Sequence, residues 1–274
     1  MAPLTVPTVH HNRFEKRAGL LSQIGMVTRR NLTVILRTPQ ALLPPLIISV
    51  FFLVIYESTL GEAAGFLPGL SGNSYLGFIL PLSLVSSALA GSGLAAQNLV
   101  RDIESGYFDK LLLTPASRAA LLLGPILAGG VILGLQALFV IGVGLLMGLE
   151  PATGVAGLLV IIGLAILLGT GFAGFTVSAA LGSGSAAVTQ AASFLFFPLT
   201  FLTASFVPLE LLSGWLRAAA RVNPITYVLE AMRALLNDGW NMGLLWQGVL
   251  ACLALAVAMY ALAVYALRLR TRRS

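Results

Sequence analysis

Along this chain, short polar and charged stretches alternate with long runs that carry no charge at all. Roughly 20 apolar residues suffice for a helix to cross the hydrocarbon core of a bilayer. Six stretches meet that length, at about residues 39–56, 75–99, 120–149, 154–181, 186–207 and 244–267. Residues 151–209 are uncharged over 59 positions, too long for one crossing, so the small and flexible Gly182-Ser183-Gly184-Ser185 is taken to divide a fourth span from a fifth. Pro44-Pro45 falls near the start of the first.

Two further segments have helical patterning without being spans. Within residues 14–37, Leu20, Ile24, Val27, Asn31, Val34 and Ile35 recur at helical spacing on one face, while Ser22, Arg29, Arg30, Thr33 and Arg37 share the other. This predicts an amphipathic helix lying on the membrane interface, its arginines near anionic head groups. Residues 208–238 are apolar enough to enter a membrane yet hold Glu210, Arg217, Arg221, Glu230, Arg233 and Asp238. They break at Val222-Asn223-Pro224, where Asn223 is a good N-cap and Pro224 suits a first helical turn. Ile225, Val228, Leu229, Met232 and Leu236 then form one stripe, Glu230 can reach Arg233 at i,i+3, and Gly239 can end the helix. The reading is two short re-entrant helices before the last span, tolerable at membrane depth only where protein or water covers the broken backbone. The predicted fold is an all-α polytopic membrane protein with six transmembrane helices in a single domain over residues 1–274.

Composition agrees with this picture. Only 9% of residues are charged and the mean hydropathy is +0.94, whereas a soluble domain needs about a quarter of its residues charged to cover its surface, so soluble folds are excluded. The first residues lack the short apolar core of a cleavable signal peptide. Cys252 is the single cysteine, which excludes an intramolecular disulfide framework and a cysteine metal cluster.

The net charge of +6 reads as topology. No basic stretch is interleaved with stacking aromatics, which argues against nucleic acid as a partner. Thirteen of the sixteen basic residues lie in the N-terminal segment, in the loop after span two, or in the C-terminal tail. The loops after spans one and three carry Glu57, Glu62 and Glu150 and no basic residue. The positive-inside rule therefore predicts both termini on the cytoplasmic side of a plasma membrane, which requires an even number of spans.

Energy is not visibly supplied by this chain. No Asp, Glu, His, Lys or Arg occurs in 38–56, 63–100, 119–149 or 151–209, whereas ion-coupled transporters place such groups at membrane depth to bind the coupling ion. There is no phosphate-binding Gly-x-x-x-x-Gly-Lys-Ser/Thr, and the only lysines are Lys16 and Lys110. The two histidines, His10 and His11, are adjacent in the polar leader. No catalytic or metal site is predicted, and this chain is expected to bind no cofactor. A passive pore or a machine driven by a partner remains. Residues 101–118 join mixed charges to apolar side chains, a composition suited to docking into a groove on another protein. Span five mixes aromatic and hydroxyl groups at Phe194, Phe197, Thr200, Phe201 and Ser205, a lining suited to an amphiphilic substrate. Glycines at Gly130, Gly134, Gly144 and Gly148 allow helices to approach closely, read here as packing within one subunit.

Four motifs then fall in order along the chain. They are Glu104-Ser105-Gly106, Leu111-Leu112-Leu113-Thr114-Pro115-Ala116-Ser117-Arg118, Phe206-Val207-Pro208-Leu209 and Val222-Asn223-Pro224-Ile225-Thr226-Tyr227. With the six spans and the broken helix pair, they give a chain that resembles the membrane subunits of ABC-2 type transporters, in particular the drug-resistance exporter branch. The resemblance implies two membrane subunits, commonly identical, working with two separate ATPase subunits that bind ATP and Mg. It implies a coupling helix within 101–113, drawing on Arg101, Asp102, Glu104, Gly106, Phe108 and Leu112, with Thr114, Pro115 and Arg118 following. It also implies an external gate over Pro208, Glu210, Asn223, Pro224, Tyr227, Glu230 and Arg233. The expected function is export of a hydrophobic or amphiphilic compound, such as a drug, lipid or glycolipid, from the cytoplasm or inner leaflet. A channel or scaffold without ATP drive, or a proton-coupled exporter, is the alternative.

Overall fold

The computed structural model describes residues 19–64, 75–114, 117–203, 209 and 212–273, and the elements among them are helices. In chain order they are α1 (Leu20–Leu36), α2 (Pro39–Ala64), α3 (Tyr75–Glu104), α4 (Tyr107–Leu112), α5 (Arg118–Leu146), α6 (Gly154–Ser183), α7 (Ala186–Leu195), α8 (Phe197–Phe201), α9 (Gly214–Val222), α10 (Pro224–Arg233) and α11 (Met242–Arg273), with a π-helical turn, Ala234–Asp238, closing α10. Helices α2, α3, α5, α6 and α11 are long and apolar enough to cross a membrane. Their bounds run past the apolar runs. Helix α2 continues through Glu57 and Glu62, which the sequence reading left in a loop, and α3 continues to Glu104, so Arg101, Asp102 and Glu104 are helical.

Helix α3 is the centre of the bundle. Its most apolar stretch is 83% buried, against 17% for α2 and α11, which therefore form the outside of the subunit. The reason lies in the small residues of α3. Gly91, Gly93, Ala95 and Ala96 are buried and let α5, α6 and α7 close in from several sides. Several hydroxyls within the bundle find partners inside it, which an apolar environment favours. Ser49 donates to the Ser83 carbonyl at 3.0 Å, Thr176 to the Ser92 carbonyl at 2.9 Å, and Ser87 to Gln136 Oε1 at 3.1 Å. Gly130 and Gly134 admit Ile166 and Thr170 of α6, and Gly144 admits Leu80 of α3. Gly148 instead takes a positive φ of 97° in the turn that ends α5.

Helix α1 lies against α5. Asn31 and Ile35 are buried and Ile24 and Val27 half-buried, whereas Leu20 and Val34, expected on the same inner face, are exposed. Contact is tightest where Val27 meets Gly124: a Cβ there would collide with Val27 Cγ1. Asn31 spends its amide on the Val27 carbonyl at 2.9 Å.

The expected span over 186–207 is not one helix. Helix α7 ends at Leu195, Phe196 forms the junction, and α8 starts with Pro198 in its first turn, where a residue without an N–H leaves no intrahelical bond unmade. Phe196 is held at this bend by Phe172 and Phe175 of α6, with ring centroids 5.2 and 4.6 Å away. The segment still runs along α3, and in the opposite sense. Gln190 meets Gln97, Ser193 meets Gly93, and Thr200 and Phe201 share a small cavity with Leu82 and Ser83.

These contacts define two ends of the bundle. At one, which carries most of the basic residues, α1, the C-termini of α3, α6 and α11 and the N-terminus of α5 meet: Gln23 Oε1 accepts from the Ser117 N–H at 2.8 Å, and Arg270 donates to the Leu181 carbonyl at 3.4 Å. At the far end, α10 and its π-helical turn sit among the N-termini of α3, α6 and α11.

Candidate functional site

At the basic end the chain leaves α3 through Ser105-Gly106 and re-enters a helix at once. Gly106 adopts φ 68°, a left-handed conformation that glycine adopts without a Cβ penalty. The bend turns the short α4 so that Phe108 points inward, 2% exposed, into an apolar cluster with Leu99, Leu122 and Leu267. Arg101, Glu104, Tyr107, Asp109, Lys110, Leu113, Thr114 and Arg118 remain exposed, and Leu113 is the most open of the apolar ones at 89%.

The elbow is tied to α1 by a pair that no sequence motif announced. Arg30 donates to both carboxylate oxygens of Asp102, each at 2.7 Å, and its guanidinium lies 4.6 Å from the centre of the Tyr107 ring. Two parallel bonds fix the orientation of one helix on the other, which a single point charge would not do. Donation to the Asp102 carboxylate holds the Arg30 guanidinium above the ordinary arginine range. The candidate docking residues thus divide. Arg101, Glu104, Thr114 and Arg118 face out, Asp102 is engaged by Arg30, Gly106 makes the bend, Phe108 is buried and Leu112 is half-buried. Pro115 lies outside the described residues.

Between α2, α3 and α7 is a cavity of about 290 Å³, walled by Pro44, Pro45, Leu89 and Phe194 and bordered by Gln97 and Gln190. Of the path residues expected on span five, Phe194 lines this cavity, while Thr200 and Phe201 border the smaller one beside Tyr56. Phe197 lies on α8, and Ser205 is outside the described residues. The sequence reading gave α2 as a span without a place on the path, and it passed over the two glutamines. Each is an uncharged polar residue in an apolar run, a signal that a search for charges passes over.

At the far end Asn223 holds two elements. Its Oδ1 accepts from the Ile225 N–H at 3.0 Å, capping α10, and its Nδ2 donates to the Leu199 carbonyl of α8 at 2.7 Å. Pro224 opens α10, and the Tyr227 hydroxyl donates to the Arg221 carbonyl at 2.6 Å. Ile225, Val228, Leu229, Met232 and Leu236 are all buried, the stripe read from spacing. Arg233 is buried as well. Its Nε donates to the Phe78 carbonyl at 2.9 Å and its guanidinium stacks 3.5 Å from the centre of the Phe78 ring, pinning α10 to the start of α3. Glu230 is half-buried one turn earlier. The π-helical turn is held by Thr153, which donates to the Leu235 carbonyl at 2.7 Å, and by the Ala152 N–H on the Leu236 carbonyl at 2.8 Å. Pro208 and Glu210 lie outside the described residues.

The family model for the ABC-2 type transporter matches residues 22–237. A doxorubicin resistance ABC transporter permease protein of Mycobacterium tuberculosis, DrrC, is 26% identical over 219 residues, covering 80% of this chain and 78% of its own. The daunorubicin resistance ABC transporter permease protein DrrB1 of Streptomyces coeruleorubidus is 29% identical over 230 residues, with 81% and 77% covered. The transport permease ycf38 of Cyanophora paradoxa is 26% identical over 217 residues, with 78% and 74% covered.

Proposed function

This chain belongs to the ABC-2 type transporter family, and from that premise we propose that it is the membrane-spanning permease subunit of an ATP-driven exporter. Separate ATPase subunits bind ATP and Mg and dock on the basic end, which faces the cytoplasm. Two copies of the permease form the pathway. The cargo is a hydrophobic or amphiphilic compound, a reading supported by the apolar walls of the α2–α3–α7 cavity and by relatives named for resistance to doxorubicin and daunorubicin.

The observation that carries the proposal is the elbow at Ser105-Gly106. It presents Glu104 and Leu113 to an outside partner while Phe108 and the Arg30–Asp102 pair fasten it to the bundle. A push on α4 is therefore delivered to α3, the helix at the centre of the subunit, and to α1. Rigid-body tilting of packed helices is the economical response of a close-packed bundle. At the far end α9, α10 and the π-helical turn form the gate, with Asn223 and Arg233 linking it to α8 and α3.

Six crossings complete the topology. Helices α7 and α8 together carry the chain from the basic end, where α6 stops, toward the far end, where α11 begins. The order of their contacts along α3 supports this, as does the need to return both termini to the cytoplasm. The N-terminal helix lies on the cytoplasmic interface, and α9 and α10 are the re-entrant pair.

The test is to purify the full chain with the ATPase encoded beside it and measure ATP turnover in nanodiscs. A complex whose turnover falls at least severalfold on Glu104→Ala with Leu113→Ala supports the proposal. An ATPase that neither binds nor responds removes it. Transport that collapses with an uncoupler and survives loss of the ATPase establishes proton coupling instead.

A further inference from the structure

The cavity between α2, α3 and α7 has a chemistry narrower than "hydrophobic". Pro44, Pro45, Leu89 and Phe194 give it apolar walls, and among the described residues that line it none is ionisable. A charged ligand would lose its hydration there without gaining a counter-ion, a penalty that selects against it. The polar groups present are serines and a pair of carboxamides. Gln97 Nε2 donates to Gln190 Oε1 at 2.5 Å, joining α3 to α7 at the edge of the cavity. One such bond uses one donor of Gln97 and one acceptor lone pair of Gln190, so each side chain keeps further N–H groups to offer.

Size and access narrow the class again. A volume of about 290 Å³ is at the small end of ligand sites, which run to roughly 1,000 Å³. Its walls fit one fused-ring system. Phe194 is 61% and Ile48 44% exposed, so the opening lies between α2 and α7 on an apolar outer surface of the subunit. We infer that this cavity recognises an uncharged, drug-sized amphiphile whose carbonyl or hydroxyl oxygens accept hydrogen bonds from Gln97 and Gln190. This rests on the exporter reading and names its substrate class. Gln97 and Gln190 are then the specificity-determining residues: they reward an oxygen acceptor, and the uncharged walls reject a fixed charge.

The experiment uses the full chain in nanodiscs and two photoactivatable probes of similar bulk. One is a diazirine derivative of progesterone, which is neutral and bears two carbonyl oxygens; the other is a diazirine derivative of tetraphenylphosphonium, which is permanently cationic. Labelled peptides are mapped by mass spectrometry. The progesterone probe is expected to label residues 41–48, 86–97 and 190–194 saturably and to be displaced by unlabelled progesterone, while the phosphonium probe leaves those peptides unlabelled. Replacing both glutamines by methionine keeps their bulk and removes the donors, and raises the half-saturating concentration about tenfold. Should the double variant not fold, Gln190→Met on its own, an exposed position, is expected to give a smaller rise in the same direction. Saturable labelling by both probes, labelling spread evenly over α2 and α11, or an unchanged half-saturation in a folded methionine variant overturns the inference. ATPase binding is measured on the same preparation. A bound, responsive ATPase with labelling elsewhere refutes only the cavity assignment, whereas saturable labelling without ATPase binding refutes the exporter reading and leaves the site.

Discussion

Phe108 shows how little a residue's neighbours in sequence say about its role. It sits among Tyr107, Asp109 and Lys110 in a stretch that looks made for an outside partner, yet its ring is among the most buried in the molecule. Its task is to hold α4 against α3, α5 and α11. Phe108→Ala is therefore expected to lower stability by about 3–5 kcal/mol, the usual cost of emptying a buried aromatic site. Thermal unfolding of the purified chain would register this, with ATPase stimulation lost in parallel. Arg30 works beside it through geometry. Because its folded-state pKa is raised, the contribution of the charged guanidinium is fully present below the ordinary arginine range and is lost only as strong alkali is reached. Activity between pH 6 and 9 should accordingly show no step that Arg30→Lys removes. Arg30→Lys is instead expected to weaken coupling at every pH, because an ammonium cannot make the two parallel bonds to Asp102. As a half-exposed pair, it should contribute no more than about 1 kcal/mol to stability.

Among the elements, α1 depends most on one close approach. Its periodicity was legible, and the exposed arginines were where the spacing put them. What the spacing could not give was the partner surface: Leu20 lies beyond the first turn of α5, and farther along it is Ile35 rather than Val34 that is covered. Gly124 is the point of contact with Val27. Gly124→Val is expected to push α1 off α5 and weaken the Gln23–Ser117 bond nearby. Paired cysteines placed across the two helices should then lose most of their disulfide cross-linking, while the α5–α6 contact at Gly130 is unaffected. The π-helical turn after Arg233 belongs to the same scale. Spacing gave the stripe of α10 correctly, but the widened turn that ends it is held by Thr153 and Ala152 from the start of α6, 82 and 84 positions away.

For the whole molecule the decisive question is the number of crossings. Among the described residues five helices qualify by length and apolarity, and the proposed sixth crossing rests on α7 and α8. With Cys252 replaced by serine, single cysteines at positions 104 and 113 are expected to react with a membrane-impermeant maleimide only from the cytoplasmic side. Cysteines at 215 and 240, where exposed tryptophans mark the far end, should react only from outside. Labelling of both pairs from one side would reduce the crossings to an odd number.

The sequence by itself determined that this is a helical membrane protein, where five of its long helices lie, which end is basic, and that α10 starts at Pro224 behind an Asn223 cap. Those properties follow from hydrophobic runs, net charge and local capping, which act over a few residues and are read without knowing the fold. Only the tertiary structure decided that α3 is central, that Arg30 grips Asp102 across 72 positions, that Asn223 also holds α8, and that Gln97 and Gln190 meet beside a cavity. Each of these is a contact between helices whose rotation about their own axes is set by packing. Inside a bilayer, apolarity directs every face toward lipid equally well, so it is the fit of small residues and hydrogen bonds between helices that chooses the neighbours.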